Sequence, residues 1–293
     1  NISSNVIIFN HRGINISSSD NLSLIQNSIR NNTREGMFLL NVSDSNFVGN
    51  NVTGSSNVGI SLLNNSENNK FTSNILANNT LEGIRMVTLV ENSTFTTNLI
   101  RDNVLNVLLL NSSNNNFTKN NFSVNQYGVN ISRSNNNSFY RNNINDQVGL
   151  LNVFIVNSTN HLFVLNNVTN AGTSGFIIFD HSENFTFKNN FIAHNSREGI
   201  RMSSTTFALE NSTFVNNIIT NNSGTAIFIH NSSHNNFTGN NISNNTHGIN
   251  VSFSLNTSFY SNSVHNHSGY QVFISNSTDN YLFNNNITNA STN

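Results

Sequence analysis

The chain has 293 residues, of which only 35% are hydrophobic and 9% charged, a balance unlike that of an ordinary globular domain; with 23 Phe it is equally unlike a disordered one. A formal net charge of −1 gives no bulk-charge footprint for nucleic acid or an anionic membrane, and the absence of Cys excludes disulfides, thiolate metal sites and cysteine nucleophiles. Asparagine makes up roughly a quarter of the sequence and Pro is absent, so helices are disfavoured and turns fall to Asn and Gly. No apolar run approaches the ~18 residues of a membrane span. The opening stretch NISSNVIIF lacks the basic start of a signal peptide, which reads as a processed chain or an excerpt.

In chain order, an aromatic residue or Leu follows an Asn-rich turn at Leu24, Phe47, Phe71, Phe95, Phe117, Phe139, Phe163, Phe187, Phe214, Phe237, Phe259 and Phe283. The spacing is about 22 to 24 residues, with one interval of about 27 between Phe187 and Phe214. Within a repeat, as from Asn116 to Ser132, a run opens at Phe117, a second at Phe122, and a third after Gly128 with Val129 and Ile131. Three short strands and three corners per repeat, with no helical period, predict an all-β fold. The fold class is a single right-handed parallel β-helix of about 12 coils spanning residues 1–293, with coils stacked about 4.8 Å apart. Phe and Ile columns would fill the interior, and corner Asn would form amide ladders. The recurring Gly (Gly36, Gly59, Gly83, Gly199 and others) is expected to supply φ > 0 at a corner, with Asn106 in its place after Phe95.

A longer period lies above the coil. EGIRM recurs at 82–86 and 198–202, ENSTF at 91–95 and 210–214, and NNVTNA at 166–171 is echoed by NNITNA at 285–290. A super-repeat of about 120 residues therefore relates 82–171 to 198–290, and the chain reads as part of a longer array. Since no capping element is recognisable, copies of the chain joined end to end are the expected partners.

The pattern N-N-x-F-x-x-N-x-I/F-x-x-N-x-x-G-I/V-x-I/V, at Asn115–Ile131 and Asn235–Val251, resembles the right-handed β-helix repeats of the NosD-like, carbohydrate-binding and sugar-hydrolase family. Asn-rich members of that family are archaeal and bacterial surface adhesin-like proteins. The resemblance covers essentially the whole chain and implies fold far more than activity.

Asn-x-Ser/Thr occurs about 29 times, nearly twice what random placement gives. Candidate N-glycan acceptors at corners or strand ends are Asn41, Asn51, Asn78, Asn92, Asn111, Asn157, Asn211, Asn231, Asn276 and Asn286. Glu35, Glu82 and Glu198 precede a corner Gly with Arg34, Arg85, Arg197 and Arg201 close by, an arrangement that suits either surface ion pairs or an acid or anion site. The isolated Asp residues form no paired-carboxylate motif of the kind glycoside hydrolysis requires. Copper delivery, which the resemblance implies for NosD-like members, draws attention to His265 with His267 and to His230 with His234. Both pairs read more simply as scattered surface His, and no metal or cofactor is expected. Tyr127, Tyr140, Tyr260, Tyr270 and Tyr281 are the outward aromatics, with a glycan as the ligand that would suit them.

These readings converge on an extracellular, cell-surface, non-enzymatic structural protein: a glycosylated solenoid acting as spacer, adhesin shaft or filament subunit. No catalytic residue is expected, and no membrane span. The alternative is a glycan-binding adhesin or a polysaccharide lyase, hydrolase or epimerase. Activity on uronate polymers lost on changing Glu82 and Glu198 to Gln would favour that alternative.

Overall fold

Short β-branched and aromatic runs broken by left-handed corners leave the chain one way to bury its apolar side chains, which is to lay each coil on the one before. The computed structural model describes residues 1–147, 149, 151–205 and 209–288, and these form an all-β, right-handed parallel solenoid of about twelve coils with no helix among them. Contacts divide the chain into two units, Asn1–Ile144 and Asn145–Asn293. In unit 1 the first sheet runs from Ile2–Ser3 to Ser138–Tyr140, the second from Val6–Ile8 to Asn121–Ser123 and beyond, and the third from Ile14–Asp20 to Tyr127–Ser132. In unit 2 the three sheets run from Leu162–Val164 to Tyr281–Phe283, from Asn167–Thr169 to Asn286–Thr288, and from Val153–Val156 to Val272–Ser275. Among the described residues the strands pair in parallel, each bonding its counterpart one coil away.

The anchors stack in register. In unit 1, Leu24 pairs with Phe47, then Phe71, Phe95, Phe117 and Phe139 follow, with ring centroids 4.4 to 4.8 Å apart and rings nearly parallel. In unit 2, Phe163, Phe187, Phe214, Phe237 and Phe259 do the same at 4.4 to 5.1 Å. Each such pair adds about 0.5–1.5 kcal/mol beyond burial of its area. The last expected anchor is displaced by one residue: Phe259 pairs with Leu282, and Phe283 instead lies exposed over Tyr260 at 5.7 Å. A one-residue shift exchanges the faces of a strand, so Leu282 takes the place in the column, itself exposed in this last coil, and the aromatic goes to the other face.

Corner asparagines form the expected ladders. Asn27, Asn50, Asn74, Asn98, Asn120 and Asn142 pass Nδ2 to Oδ1 at 2.9 to 3.1 Å, and each Oδ1 also accepts the backbone N–H of the Asn one coil earlier. The second amide hydrogen finds the carbonyl of an anchor, as in Asn98 Nδ2 to Phe71 O at 3.0 Å. Unit 2 repeats this from Asn166 through Asn190, Asn217, Asn240 and Asn262 to Asn285. These side chains are buried yet satisfied, which removes the penalty an unpaired buried amide carries.

The corner Gly has a different cause from the expected one. Its φ is not positive at Gly36 or Gly83; there a Cβ would stand 2.2 Å from Val52 Cγ1 and 2.3 Å from Ile100 Cγ2, so the residue is fixed by close approach of the interior. Positive φ falls mainly to Asn, as at Asn31, Asn78 and Asn221, whose short polar side chain tolerates the left-handed region. Asn106 does take the Gly position between Leu105 and Val107, receiving Asn125 Nδ2 at 2.5 Å. The extra residues of the long interval follow strand Ile200–Ser203, where Asp180 accepts from Ser204 Oγ at 2.6 Å and from Thr205 N at 2.8 Å.

Candidate saccharide-binding face

Strand alternation sends every second side chain of the third sheet outward, and parallel register lines these up coil by coil. In unit 2 one outward column reads Phe154, Ile177, Arg201, Phe228, Asn250, Phe273, and the next reads Val156, Phe179, Ser203, His230, Ser252, Ser275. At the leading edge of the same strands His247 stands beside Thr225, and its ring stacks on Tyr270 with centroids 4.1 Å apart. Asn250 Nδ2 lies 3.0 Å from Tyr270 Oη, fixing the phenol, and Tyr270 meets Phe273 at 5.4 Å. His230 bonds Ser252 Oγ through Nδ1 at 3.0 Å and lies edge-on to the exposed ring of Phe253.

A depression of about 320 Å3 opens beside this strip, lined by Leu151, Thr173, Ser174, Ile177, Arg197, Glu198 and Arg201. Glu198 is only 9% exposed; Ser174 Oγ donates to its Oε2 at 2.6 Å and Arg201 Nη1 to its Oε1 at 3.1 Å. The Arg201 guanidinium also lies 4.6 Å from the centre of the Phe228 ring. Arg197 forms no ion pair among the described residues, so the depression carries one positive charge in excess. Three polar atoms of this region are buried without a hydrogen-bond partner: His247 Nδ1, Asn250 Oδ1 and Gln271 Oε1. Unsatisfied buried groups are rare in folded proteins, and each calls for an explanation. Aromatic faces, fixed amides and guanidinium groups on one surface suit a sugar chain that is apolar on its ring faces and acidic at its rim.

The remaining candidates are dispersed. Glu82 pairs with Arg85 at 2.7 Å in unit 1, and Glu35 with Arg12 at 2.8 Å. Burial raises the Glu35 carboxyl, but the Arg12 hydrogen bond, a backbone hydrogen bond and the charges of Arg12 and Arg34 outweigh it and hold it below the ordinary carboxylate range. His265 and His267 share no face: Asn266 between them takes φ 58°, so His265 turns out toward Asn241 Oδ1 while His267 turns in as a rung of the second ladder, accepting Asn245 N–H at 3.2 Å. Burial, with His265 and His247 nearby, pushes the His267 pKa down. His230 and His234 are likewise apart, His234 lying 3.2 Å from Asn256 Nδ2 and 4.0 Å from Glu210. Among the described residues no group of three or more His, Asp or Glu comes together as metal ligands. Of the tyrosines, Tyr270 alone belongs to the strip; Tyr127 and Tyr140 are half-buried, and Tyr260 and Tyr281 are exposed at other edges.

Asn41, Asn78, Asn92, Asn111, Asn157, Asn211 and Asn276 are exposed with φ between 45° and 58°, and Asn231 is half-buried with φ 50°. Asn51 and Asn286 lie in strands. The corner after the second sheet explains part of the sequon surplus. At Asn78-Asn79-Thr80 the first Asn takes φ > 0, the second is a buried rung, and Thr80 Oγ1 donates to Ser55 O at 3.3 Å; Asn244-Asn245-Thr246 repeats this with Thr246 Oγ1 to Ser223 O at 2.8 Å. A corner with those three tasks spells Asn-x-Thr for structural reasons.

The coil repeat, the three parallel sheets and the interior columns define a class, and the chain belongs to it: the family model described as right handed beta helix region matches residues 1–106, 65–192 and 151–293. No match was found among curated proteins. Solved structures similar to the chain include the A-module of Azotobacter vinelandii mannuronan C-5 epimerase AlgE6, at 14% identity and TM-score 0.63, over 95% of this chain and 89% of that one. The A-module of mannuronan C-5 epimerase AlgE4 from the same organism gives 12% identity and TM-score 0.56, over 95% and 88%. The periplasmic alginate epimerase AlgG gives 12% and 0.54, over 91% and 77%. At such identities the likeness is one of fold.

The comparisons nevertheless overturn the expectation of a non-enzymatic spacer, shaft or filament subunit. That expectation took the regular ladders and columns as the mark of a structural rod, yet polysaccharide-modifying enzymes are built on the same coils over nearly the same span. A repetitive interior therefore says nothing against chemistry on the outer face.

Proposed function

We propose that the chain acts on an acidic polysaccharide outside the cytoplasm, binding it along the outer face of the third sheet of unit 2 and exchanging a proton on a uronate ring. The observation that carries this reading is the His247–Tyr270 stack, held by Asn250, on the sheet face where Phe228 separates Asn250 from Arg201 two coils away. Removing a proton from the carbon next to a carboxylate requires that the carboxylate charge be neutralised and that a base and an acid stand at hand. Arg197 and Arg201 serve the first need, while His247 and Tyr270, stacked on each other on this face, take and return the proton. Delivery of a proton from water to the opposite ring face inverts the centre; loss of the neighbouring glycosidic oxygen, which takes up the returned proton, instead cleaves the chain and leaves a double bond. Asn250 fixes the phenol, and the rings of Phe228 and Phe273 support sugar faces on either side of the Asn250 position. The solved structures most relevant to this reading are mannuronan epimerases, which is consistent with a uronate as substrate.

The test is turnover. The protein is incubated with polymannuronate, polyguluronate and polygalacturonate, and proton NMR follows inversion and chain cleavage. Change in at least one polymer, reduced about a hundredfold in Arg201→Ala, supports the reading. Absence of inversion and cleavage in all three refutes it.

A further inference from the structure

The Arg, Glu and Phe grouping that borders the depression in unit 2 has a counterpart in unit 1 which the reaction above does not use. Arg34-Glu35-Gly36 matches Arg197-Glu198-Gly199. Glu35 is 3% exposed and fully engaged: Arg12 Nε lies 2.8 Å from Oε2, with Arg34 Nη2 at 3.5 Å and Asn57 Nδ2 at 3.3 Å from Oε1. The Arg12 guanidinium covers the Phe38 ring at 3.7 Å, as Arg201 covers Phe228 at 4.6 Å. Phe38 projects from the third sheet between two short polar neighbours, Asn15 and Ser61, so its ring edge is not walled in by large side chains.

We propose that Arg12, Arg34 and Phe38 form a second saccharide site, specific for a carboxylate-bearing sugar, which binds without catalysing; the choice of ligand rests on the polysaccharide reading given above. Two guanidinium groups face one carboxylate, leaving one positive charge in excess, and only Nε of Arg12 is within hydrogen-bonding distance of Glu35 Oε2, so donors remain for a ligand oxygen. Arg34 is the more available of the two, with its side chain 46% exposed and its contact to Glu35 longer than a good hydrogen bond. Asn57 donates through Nδ2 to Glu35 Oε1 at 3.3 Å and so holds the carboxylate in place beneath the two guanidinium groups. His11 adjoins it, its carbonyl accepting the Arg34 N–H at 2.8 Å, but among the described residues no tyrosine stacks on that ring as Tyr270 does on His247, and the site is assigned binding only. The third Arg and Glu pair marks the contrast: Arg85 sits between Ser61 and Leu108 with no aromatic beside it, and Leu81 replaces the preceding Arg, leaving a plain ion pair.

Isothermal titration with a mannuronate trisaccharide tests the assignment. The wild-type chain is expected to bind two equivalents, and Arg34→Ser one, with polymer turnover retained. Phe38→Leu, which keeps most of the packing volume, should weaken the same event several-fold. Lys119→Ser, removing an exposed cation elsewhere in unit 1, should leave both events unchanged. A single equivalent in the wild type that disappears in Arg197→Ser overturns the second site and leaves the catalytic reading standing, as does an equal loss in Lys119→Ser and Arg34→Ser. Failure of the trisaccharide to bind at all, together with absent turnover, overturns both.

Discussion

The outer faces of the third sheet in the two units are built on the same interior and differ in what they show to solvent. In unit 1 one column reads Ser17, Leu40, Leu63, Val87, Leu110, Ser132, a mostly aliphatic stripe. The corresponding column of unit 2 carries Phe179, Ser203, His230, Ser252 and Ser275, next to Arg201, Phe228, Asn250 and Phe273. The interior positions repeat because each must lie over its equivalent one coil away; the outward positions are free of that demand and hold whatever chemistry the face performs. The difference teaches that function in a solenoid is found where the repeat is broken.

Interior and face can be separated by mutation. The largest expected effect tests their common interior: Phe95→Ala in unit 1 and Phe214→Ala in unit 2 each empty a column of stacked rings and should cost about 3–5 kcal/mol in chemical denaturation. Markedly unequal losses would break the claim that the two interiors are equivalent. Next, Tyr270→Phe should lower turnover about a hundredfold with the melting temperature unchanged, while Arg85→Ala in unit 1 should leave turnover within about twofold. Loss of activity in both would put the chemistry on both faces. Asn98→Ala and Asn217→Ala should each cost about 1–3 kcal/mol, because the neighbouring rung and an anchor carbonyl lose their donor.

Acid separates the units further. His267 has a folded pKa below its ordinary 6.5, so below that pH the unfolded chain takes up a proton that the folded ladder resists. Unit 2 should therefore lose stability as pH falls below about 6.5, down to the depressed folded value, and His267→Asn, which restores an amide rung, should abolish that loss in melts between pH 7 and 5. The Glu35 carboxyl lies below the ordinary carboxylate value, so its contribution to unit 1 is complete above about 4.5 and disappears only as pH falls through its lower folded pKa. Simultaneous melting of both units across this range would contradict the assignment. The smallest effect concerns Glu67 and Glu91, brought side by side as a parallel bridge: Glu91→Gln should raise stability by about 0.5 kcal/mol by removing a like-charge pair.

The fold was legible because its cause is periodic. Phe47 must lie under Phe71, and the interval between them states the coil length. The substitution of Leu282 for Phe283 at the last anchor was not legible, since either residue can continue the column and register decides between them. The role of the corner Gly was misread because a left-handed corner and a close approach both select Gly, and only coordinates distinguish them. The site was illegible for a related reason: His247 and Tyr270 are a coil apart and meet only through stacking. One signal was present. Aligned coil by coil, the column Val156, Phe179, Ser203, His230, Ser252, Ser275 has one imidazole, and the column Phe154, Ile177, Arg201, Phe228, Asn250, Phe273 has one guanidinium among aromatic, aliphatic and amide side chains; such departures from the repeat are the positions to test.

Deuterium uptake from heavy water into polymannuronate, followed at the ring carbon next to the carboxylate, tests proton exchange by this face most directly. Uptake in the wild-type chain that falls about a hundredfold in Tyr270→Phe, with unfolding unchanged, is the predicted result. No uptake with wild type, or undiminished uptake with Tyr270→Phe, would contradict it.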